Sequence, residues 1–244
     1  AVRYAKAFDN KFAFKVNLDY MSAEDWRGGN YTDKNAAQQG NLAANPSYDG
    51  IHKYGDDGSF NIALLAANPA VRGQLAAALS AQTGVPQSQT EQYVASLPAQ
   101  PVNRTGYDEH FLVDYGAENM KVNTSLHYRL TDNAEISYSF NYGFGTSIYT
   151  GAQRYSLVDF SIAQHKVQLE GDNFMIKAYG TFENSGDSYI ADFVGYSINE
   201  AYSPSPTWFG TYGTVFAGGI LQAAATAQGG NPPIKLVVPL TVKS

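Results

Sequence analysis

The sequence predicts an all-β fold: an antiparallel transmembrane β-barrel wall segment, an incomplete barrel with long extracellular loops that contain short helices. Three features predict it. Apolar and polar residues alternate with a period of two, the alternating runs are long, and very short connections are interleaved with very long ones. Strands of globular proteins average about five or six residues, whereas about nine to eleven are needed to cross a bilayer at a tilt.

Residues 119–182 carry the pattern most clearly. Met120, Val122, Thr124, Leu126, Tyr128 and Leu130 fall on one side of an extended chain, and Lys121, Asn123, Ser125, His127 and Arg129 on the other. After a polar turn at 131–133, Ala134, Ile136, Tyr138, Phe140, Tyr142 and Phe144 oppose Glu135, Ser137, Ser139, Asn141, Gly143 and Gly145. Two such runs across a tight turn make a hairpin.

In chain order, residues 1–8 read as the end of a strand and Phe8-Asp9-Asn10 as a turn. From Lys11 to about Ser22, Phe12, Phe14, Val16, Leu18 and Tyr20 alternate with Lys11, Ala13, Lys15, Asn17 and Asp19. The pattern is lost over 23–108, a stretch too long for a structureless loop and therefore expected to be a partly helical insertion. Within it, Asn68-Pro69 opens a helix that closes at Thr83-Gly84, and Ser88 or Thr90 caps a second running from Glu91 to Leu97. His110 to Tyr115 reads as a short strand and 147–154 as a second excursion. Tyr155 to Glu170 is extended, with a phase slip near Val158-Asp159-Phe160 that suggests a bulge. Gly171-Asp172 turns the chain into Asn173 to Tyr179. Residues 183–244 read as loop-rich, with an Ala-rich piece over 219–228 and a short strand at 234–240 made doubtful by Pro239.

Tight turns at 9–10, 131–133 and 171–172, against long links at 23–108, at 147–154 and after 183, form the asymmetry of an outer-membrane barrel. About six wall strands are counted, and the smallest closed membrane barrels have about eight. Lipid cannot satisfy an open strand edge, so the chain is expected to be a piece of a larger wall, with 1–244 forming one partial barrel domain.

Composition narrows the function. The chain has 244 residues and no cysteine, which excludes disulfides and thiolate metal sites, and its net charge of −6 gives nucleic acid no basic surface. No apolar run is long enough for a transmembrane helix, a fact that leaves a β-barrel open. Among 18 Tyr, 13 Phe and 2 Trp, the aromatics in the loops stand out as ligand surfaces. The four histidines, His52, His110, His127 and His165, lack metal-ligand spacing, and the Gly-Gly pairs at 28, 218 and 229 read as turns. Ser59, Asp108 and His110 lack a nucleophile elbow, so the chain is expected not to be an enzyme and to use no cofactor. Asp56-Asp57-Gly58-Ser59, and Glu183 with Asp187, place carboxylates in loops where calcium could bind, the plainer reading being solvated acidic loops.

The segments Arg3 to Asn17 with Trp26, Arg154 to Ser161 leading to His165-Lys166-Val167-Gln168-Leu169, and Asn173 to Tyr179 followed by Glu183 to Tyr189 resemble the barrel portion of TonB-dependent outer-membrane receptors of the Bacteroidetes type. The similarity covers most of the chain outside 35–100 and after 210. It implies a barrel of roughly twenty-two strands closed by a plug, importing an iron chelate, vitamin, glycan or peptide with energy from the periplasmic TonB complex in a Gram-negative outer membrane. This sequence shows no plug, no energy-coupling box and no closing strand, so the expected partners are the remainder of the barrel and its plug, outer-membrane lipid, and a possible surface lipoprotein.

The candidate ligand-binding residues are Trp26, Tyr31, Tyr149, Tyr155, Tyr189, Trp208 and Phe209. Such rings offer broad apolar area at low entropic cost. The plainer reading places Trp26 and Tyr20 in an interfacial girdle and packs the other rings among the loops. Lys121, Arg129, Glu135, Lys166, Glu170 and Lys177, of mixed sign, suit an aqueous lumen. The alternative is a secreted or surface β-sandwich that binds glycan. It requires Phe12, Phe14, Val16, Phe140, Tyr142 and Ile176 to be buried between sheets, whereas the barrel requires them in one outward band.

Overall fold

In the computed structural model, which describes residues 1–35 and 45–227, the chain divides into two units, one of 1–29 and 108–194, the other of 30–107 and 195–244. In chain order the elements are β1 (Val2–Phe8), β2 (Phe12–Glu24), β3 (Lys53–Tyr54), β4 (Phe60–Asn61), α1 (Ala63–Ala67), α2 (Pro69–Thr83), α3 (Gln87–Ala95), β5 (Pro101–Val102) and β6 (Tyr107–Asp108). They continue as β7 (Gly116–Thr131), β8 (Ala134–Thr150), β9 (Arg154–Gly171), β10 (Phe174–Asn184), β11 (Tyr189–Ile190), α4 (Ala191–Tyr202) and α5 (Ser205–Ala227). The expected strand at 234–240, the glycine pair at 229 and the last residue of the Ala-rich piece lie outside the described residues.

The first unit is built on one large antiparallel sheet of order β1-β2-β7-β8-β9-β10, with β11 pairing β9 beyond the end of β10. Among the described residues the sheet does not close on itself. Its six long strands are the six read from the alternation. Register decides what each face carries. Across β2, β7, β8, β9 and β10, one continuous row joins Phe14, Leu126, Tyr138, Val167 and Ala178, and the next joins Phe12, Tyr128, Ile136, Leu169 and Ile176. The intervening row on the other face joins Ala13, His127, Ser137, Gln168 and Lys177. The apolar sets of separate strands therefore merge into one face and the polar sets into the other.

The turns follow local chemistry. Asp9 and Asn10, the central residues of a turn closed by the Lys11 amide donating to the Phe8 carbonyl at 2.9 Å, both take left-handed backbone, φ 47° and 51°, which Asp and Asn tolerate best after glycine. Asn133 Nδ2 donates to the Asp172 carboxylate, which links the β7–β8 and β9–β10 turns. The bulge expected near 158–160 is present. The β8–β9 register shifts between Gly145 and Ser147, and Asp159 sits at φ 53°. Gly186 packs against it, where a Cβ would lie 2.3 Å from the Val158 carbonyl oxygen.

Three expectations for this unit are corrected. Residues 147–154 are not an excursion, since β8 and β9 stay paired up to Thr150 and Arg154 and leave a three-residue link. His110 to Tyr115 is not a strand; Glu109–Phe111 is a turn of 3-10 helix, held as the Leu112 and Val113 amides donate to the Glu109 carbonyl. Gly28 lies in an irregular segment whose amide is bound by a side chain, rather than in a turn.

The second unit has a helical core of Ile62, Leu65, Ala66, Leu75, Ala76, Leu79, Val94, Leu97, Val102, Phe209 and Ala217. Each large apolar side chain enclosed there contributes about 1.5–3 kcal/mol. Helix α2 starts and stops where the sequence predicts: Asn68 accepts from the Ala70 amide at 3.0 Å, Pro69 occupies the first turn, and Gly84 caps at φ 71°. Helix α3 begins at Gln87, earlier than expected, and neither Ser88 nor Thr90 caps it. Thr90 instead turns inward, and its hydroxyl donates to the Ala76 carbonyl at 2.8 Å, which fixes α3 against α2. Short β4 pairs with β5 beside this core.

The loop-rich reading of 183–244 is overturned over its described part by α4 and α5. Glycines at 210, 213, 218 and 219 hide α5 from propensity reasoning, and the pair at 218 is helical rather than a turn. Packing explains one of them. A Cβ at Gly213 would lie 2.5 Å from a Leu65 methyl, so glycine there permits close approach of α5 to α1. Trp208, Tyr212 and Phe216 recur at helical spacing and stack in sequence, with ring centroids 5.5 and 6.3 Å apart.

Candidate functional site

The three tight turns lie at one end of the sheet. At the other end, the segment after β2, the stretch before β7, the β8–β9 link and β11 come together, and these carry most of the candidate aromatics of the first unit.

Glu109 is the anchor of that end. Its side chain is fully enclosed, and Oε1 accepts from the Gly28 amide at 2.8 Å, the Arg154 guanidinium at 3.0 Å and the Tyr115 hydroxyl at 3.1 Å. Arg154, nearly as enclosed, also donates to the Trp26 carbonyl at 2.6 Å and to the Thr150 hydroxyl. Removing two such charges from water is costly, and only mutual pairing with further hydrogen bonds offsets it. Burial, followed by the Glu109 charge and hydrogen bond, pushes the Tyr115 phenol up to about 12, so it is a neutral donor at any physiological pH. Asp25 adds a second tie, its carboxylate accepting from the Ile148 amide at 2.9 Å while its own amide donates to the Tyr115 carbonyl at 2.8 Å.

This framework presents rings to solvent. Trp26 lies with its ring centroid 5.2 Å from the Arg154 guanidinium and is 58% exposed. Tyr149, also 58% exposed, packs on Tyr155 at 5.8 Å across the β8–β9 pair. Tyr189, half-buried in β11 opposite Ser156, donates from its hydroxyl to the Leu112 carbonyl at 2.7 Å. Arg27 pairs with Glu24 and lies over the Tyr115 ring. Of the seven candidates, four therefore share this end of the sheet.

The other three belong to the second unit. Tyr31 is exposed, with the Lys53 ammonium 5.7 Å from its ring centroid. Phe209 is enclosed in the helical core and has no surface for a ligand. Trp208 packs beside it, half-buried, with the Arg104 guanidinium 5.6 Å from its ring. Arg104 is itself held by Glu200 at 2.9 Å and by the Asn199 carbonyl at 2.8 Å, so this Trp serves a structural contact.

Sequence reasoning missed Glu109 and Arg154, which are separated by 45 residues and carry no local signature. It also missed Asp49, which joins Asp56 and Asp57 in an acidic group of the second unit; Glu183 and Asp187 form no such group among the described residues. The histidines on the sheet have ordinary neighbours: His127 pairs with Glu135 at 2.7 Å, and His165 with the Tyr138 hydroxyl at 2.8 Å. The rim offers stacking area and hydrogen-bonding groups to a ring-bearing ligand.

Comparison of the chain with protein-family models, with curated proteins and with solved structures finds no match.

Proposed function

We propose that the sheet of the first unit is a length of outer-membrane β-barrel wall, part of a TonB-dependent receptor that binds an iron chelate, glycan or peptide at the loop end and imports it. Its apolar face meets lipid and its polar face lines the lumen, against a plug and further wall strands supplied outside the described residues. One observation carries this reading: the merged apolar face is uncovered. Leu126 (40%), Tyr128 (42%), Val167 (45%) and Ile176 (64%) are exposed on neighbouring strands. Soluble proteins rarely leave so broad an apolar patch in water. A β-sandwich would bury these residues against a second sheet, so the pattern favours the barrel over a glycan-binding sandwich.

Further details support the assignment. The polar members of the apolar face have partners suited to lipid. His165 is hydrogen-bonded to Tyr138 and flanked by Phe140 and Phe182, and Lys6 lies by the turn end with its ammonium 4.9 Å from the Phe8 ring centroid, positioned to reach the interface. The lumen face carries Lys121, Arg129, Glu135, Lys166, Glu170 and Lys177. The rim of Trp26, Tyr149, Tyr155 and Tyr189 stands at the end opposite the tight turns, where extracellular loops of such barrels contact substrate.

The test uses the absence of cysteine. In protein reconstituted into lipid vesicles, Ser125→Cys is expected to react with a water-soluble maleimide while Leu126→Cys stays protected. Equal labelling of the two would overturn the lipid-facing assignment.

A further inference from the structure

The second unit holds a group of charges that the barrel reading does not use. One carboxylate oxygen from each of Asp49, Asp56 and Asp57 lies within 4.8 Å of the others. Oxygens on opposite sides of a Ca²⁺ ion, at about 2.4 Å each, are about that far apart. Clustered carboxylates alone mark no site. Here one of them is enclosed: Asp56 is 1% exposed, its Oδ2 accepts from the Gly50 amide at 3.1 Å, and its Oδ1 has no hydrogen-bond partner among the described residues. A buried carboxylate oxygen left unpaired is costly, and the surroundings keep room for it. At Gly106 a Cβ would lie 2.8 Å from that same Oδ1.

Lys34 already pairs with the group, its Nζ 2.8 Å from Asp49 Oδ1 and 2.8 Å from Asp57 Oδ1. Lys34 offsets one of the three carboxylate charges, and a divalent ion in its place would offset two. We propose that Asp49, Asp56 and Asp57 form a Ca²⁺ site in which Lys34 is an internal competitor that swings out as the ion enters. Asp56 supplies the unpaired oxygen, and Asp49 and Asp57 exchange an ammonium for the metal. Ca²⁺ fits better than Mg²⁺ because oxygens contributed by loop residues suit its loose coordination, whereas Mg²⁺ demands near-octahedral geometry and holds its water. None of these residues lies in the sheet, so the inference stands apart from the barrel reading.

Calorimetric titration of the full chain with CaCl₂ tests it. The expected result is one Ca²⁺ per chain with a Kd of about 10⁻⁴–10⁻³ M, and Mg²⁺ at least about tenfold weaker. Asp56→Asn should weaken Ca²⁺ by about tenfold or more, and Lys34→Met should tighten it by about tenfold, by removing the competitor. Absence of binding at about 10 mM Ca²⁺, or equal binding by Asp56→Asn, overturns the site. If circular dichroism shows that Asp56→Asn is unfolded, Lys34→Met decides: unchanged or weaker binding by that variant overturns the proposal.

Discussion

Glu109 and Arg154 meet at 3.0 Å with their side chains 0% and 5% exposed, and through them the chain segments around Gly28, Tyr115 and Trp26 share one hydrogen-bonded node. The node fixes the loop end of the sheet and so the direction in which Trp26 and Tyr149 face.

Breaking one side of this pair leaves a buried charge without its counterion. Glu109→Gln is expected to lower unfolding stability by about 3–5 kcal/mol, and the double variant Glu109→Gln, Arg154→Met to recover much of that loss. Denaturant unfolding of both variants checks it. A single variant as stable as the parent would show the pair to be dispensable.

If the sheet is the proposed barrel wall, its apolar and polar faces should respond oppositely to charge. Leu126→Arg is expected to cost about 2–4 kcal/mol of folding into lipid vesicles, and Ser125→Arg close to nothing. The two positions are adjacent in β7, so strand propensity and backbone context are nearly shared. Urea titration of vesicle-folded protein separates them.

The β1–β2 turn depends on two left-handed residues. Asn10→Val should cost about 1–2 kcal/mol, because a β-branched L-residue is strained there. Asn10→Gly should be neutral or gain at most about 1 kcal/mol. Because β1 is bonded to β2 in the sheet order, hydrogen exchange at Tyr4 and Val16 is the sensitive reading.

Gly186, at φ 57°, tolerates no side chain against the β9 bulge. Gly186→Ala is expected to destabilise the 184–188 segment by about 1–3 kcal/mol, visible as new proteolytic cleavage there with the long strands still protected. Cleavage unchanged from the parent would show that the bulge contact does not hold the segment.

Asp56 gives a pH dependence of defined sign. Its folded carboxyl is raised to about 6 from an ordinary value of 3.8, so the folded state binds the proton more readily. Its contribution to stability is fully present below the unfolded value and is lost as pH rises through about 6. In calcium-free buffer, the parent's melting temperature should fall more steeply from pH 4 to 6 than that of Asp56→Asn, with differential scanning calorimetry as the measurement; parallel profiles would contradict it.

Much of the sheet was legible because strand alternation and turn chemistry are local. Asp9-Asn10, the 131–133 turn, the bulge at Val158-Asp159-Phe160 and the Asn68-Pro69 to Gly84 helix were each read from a few neighbouring residues. Helix α5 was not, since four glycines lower its propensity and only packing against α1, where Gly213 meets Leu65, makes the helix worthwhile. The 109–115 segment misled for a related reason. Its apolar residues look like a strand, yet the Glu109 side chain is drawn into an ion pair with a residue far along the chain. Of the seven candidate aromatics, exposure in a loop was legible for Trp26, whereas Tyr149 is exposed at the end of strand β8 and the burial of Phe209 depended on a helix that the sequence did not announce.

By itself, the sequence determined which residues share a side within each strand and where the chain reverses, because both depend on backbone geometry over a few residues. Only the tertiary structure decided that the apolar sides of six strands coincide on one uncovered face, that Glu109 finds Arg154, and that Asp49 joins Asp56 and Asp57. Strand register and charge pairing are set by hydrogen bonds and Coulomb contacts between residues distant in the chain, and no local pattern encodes that distance.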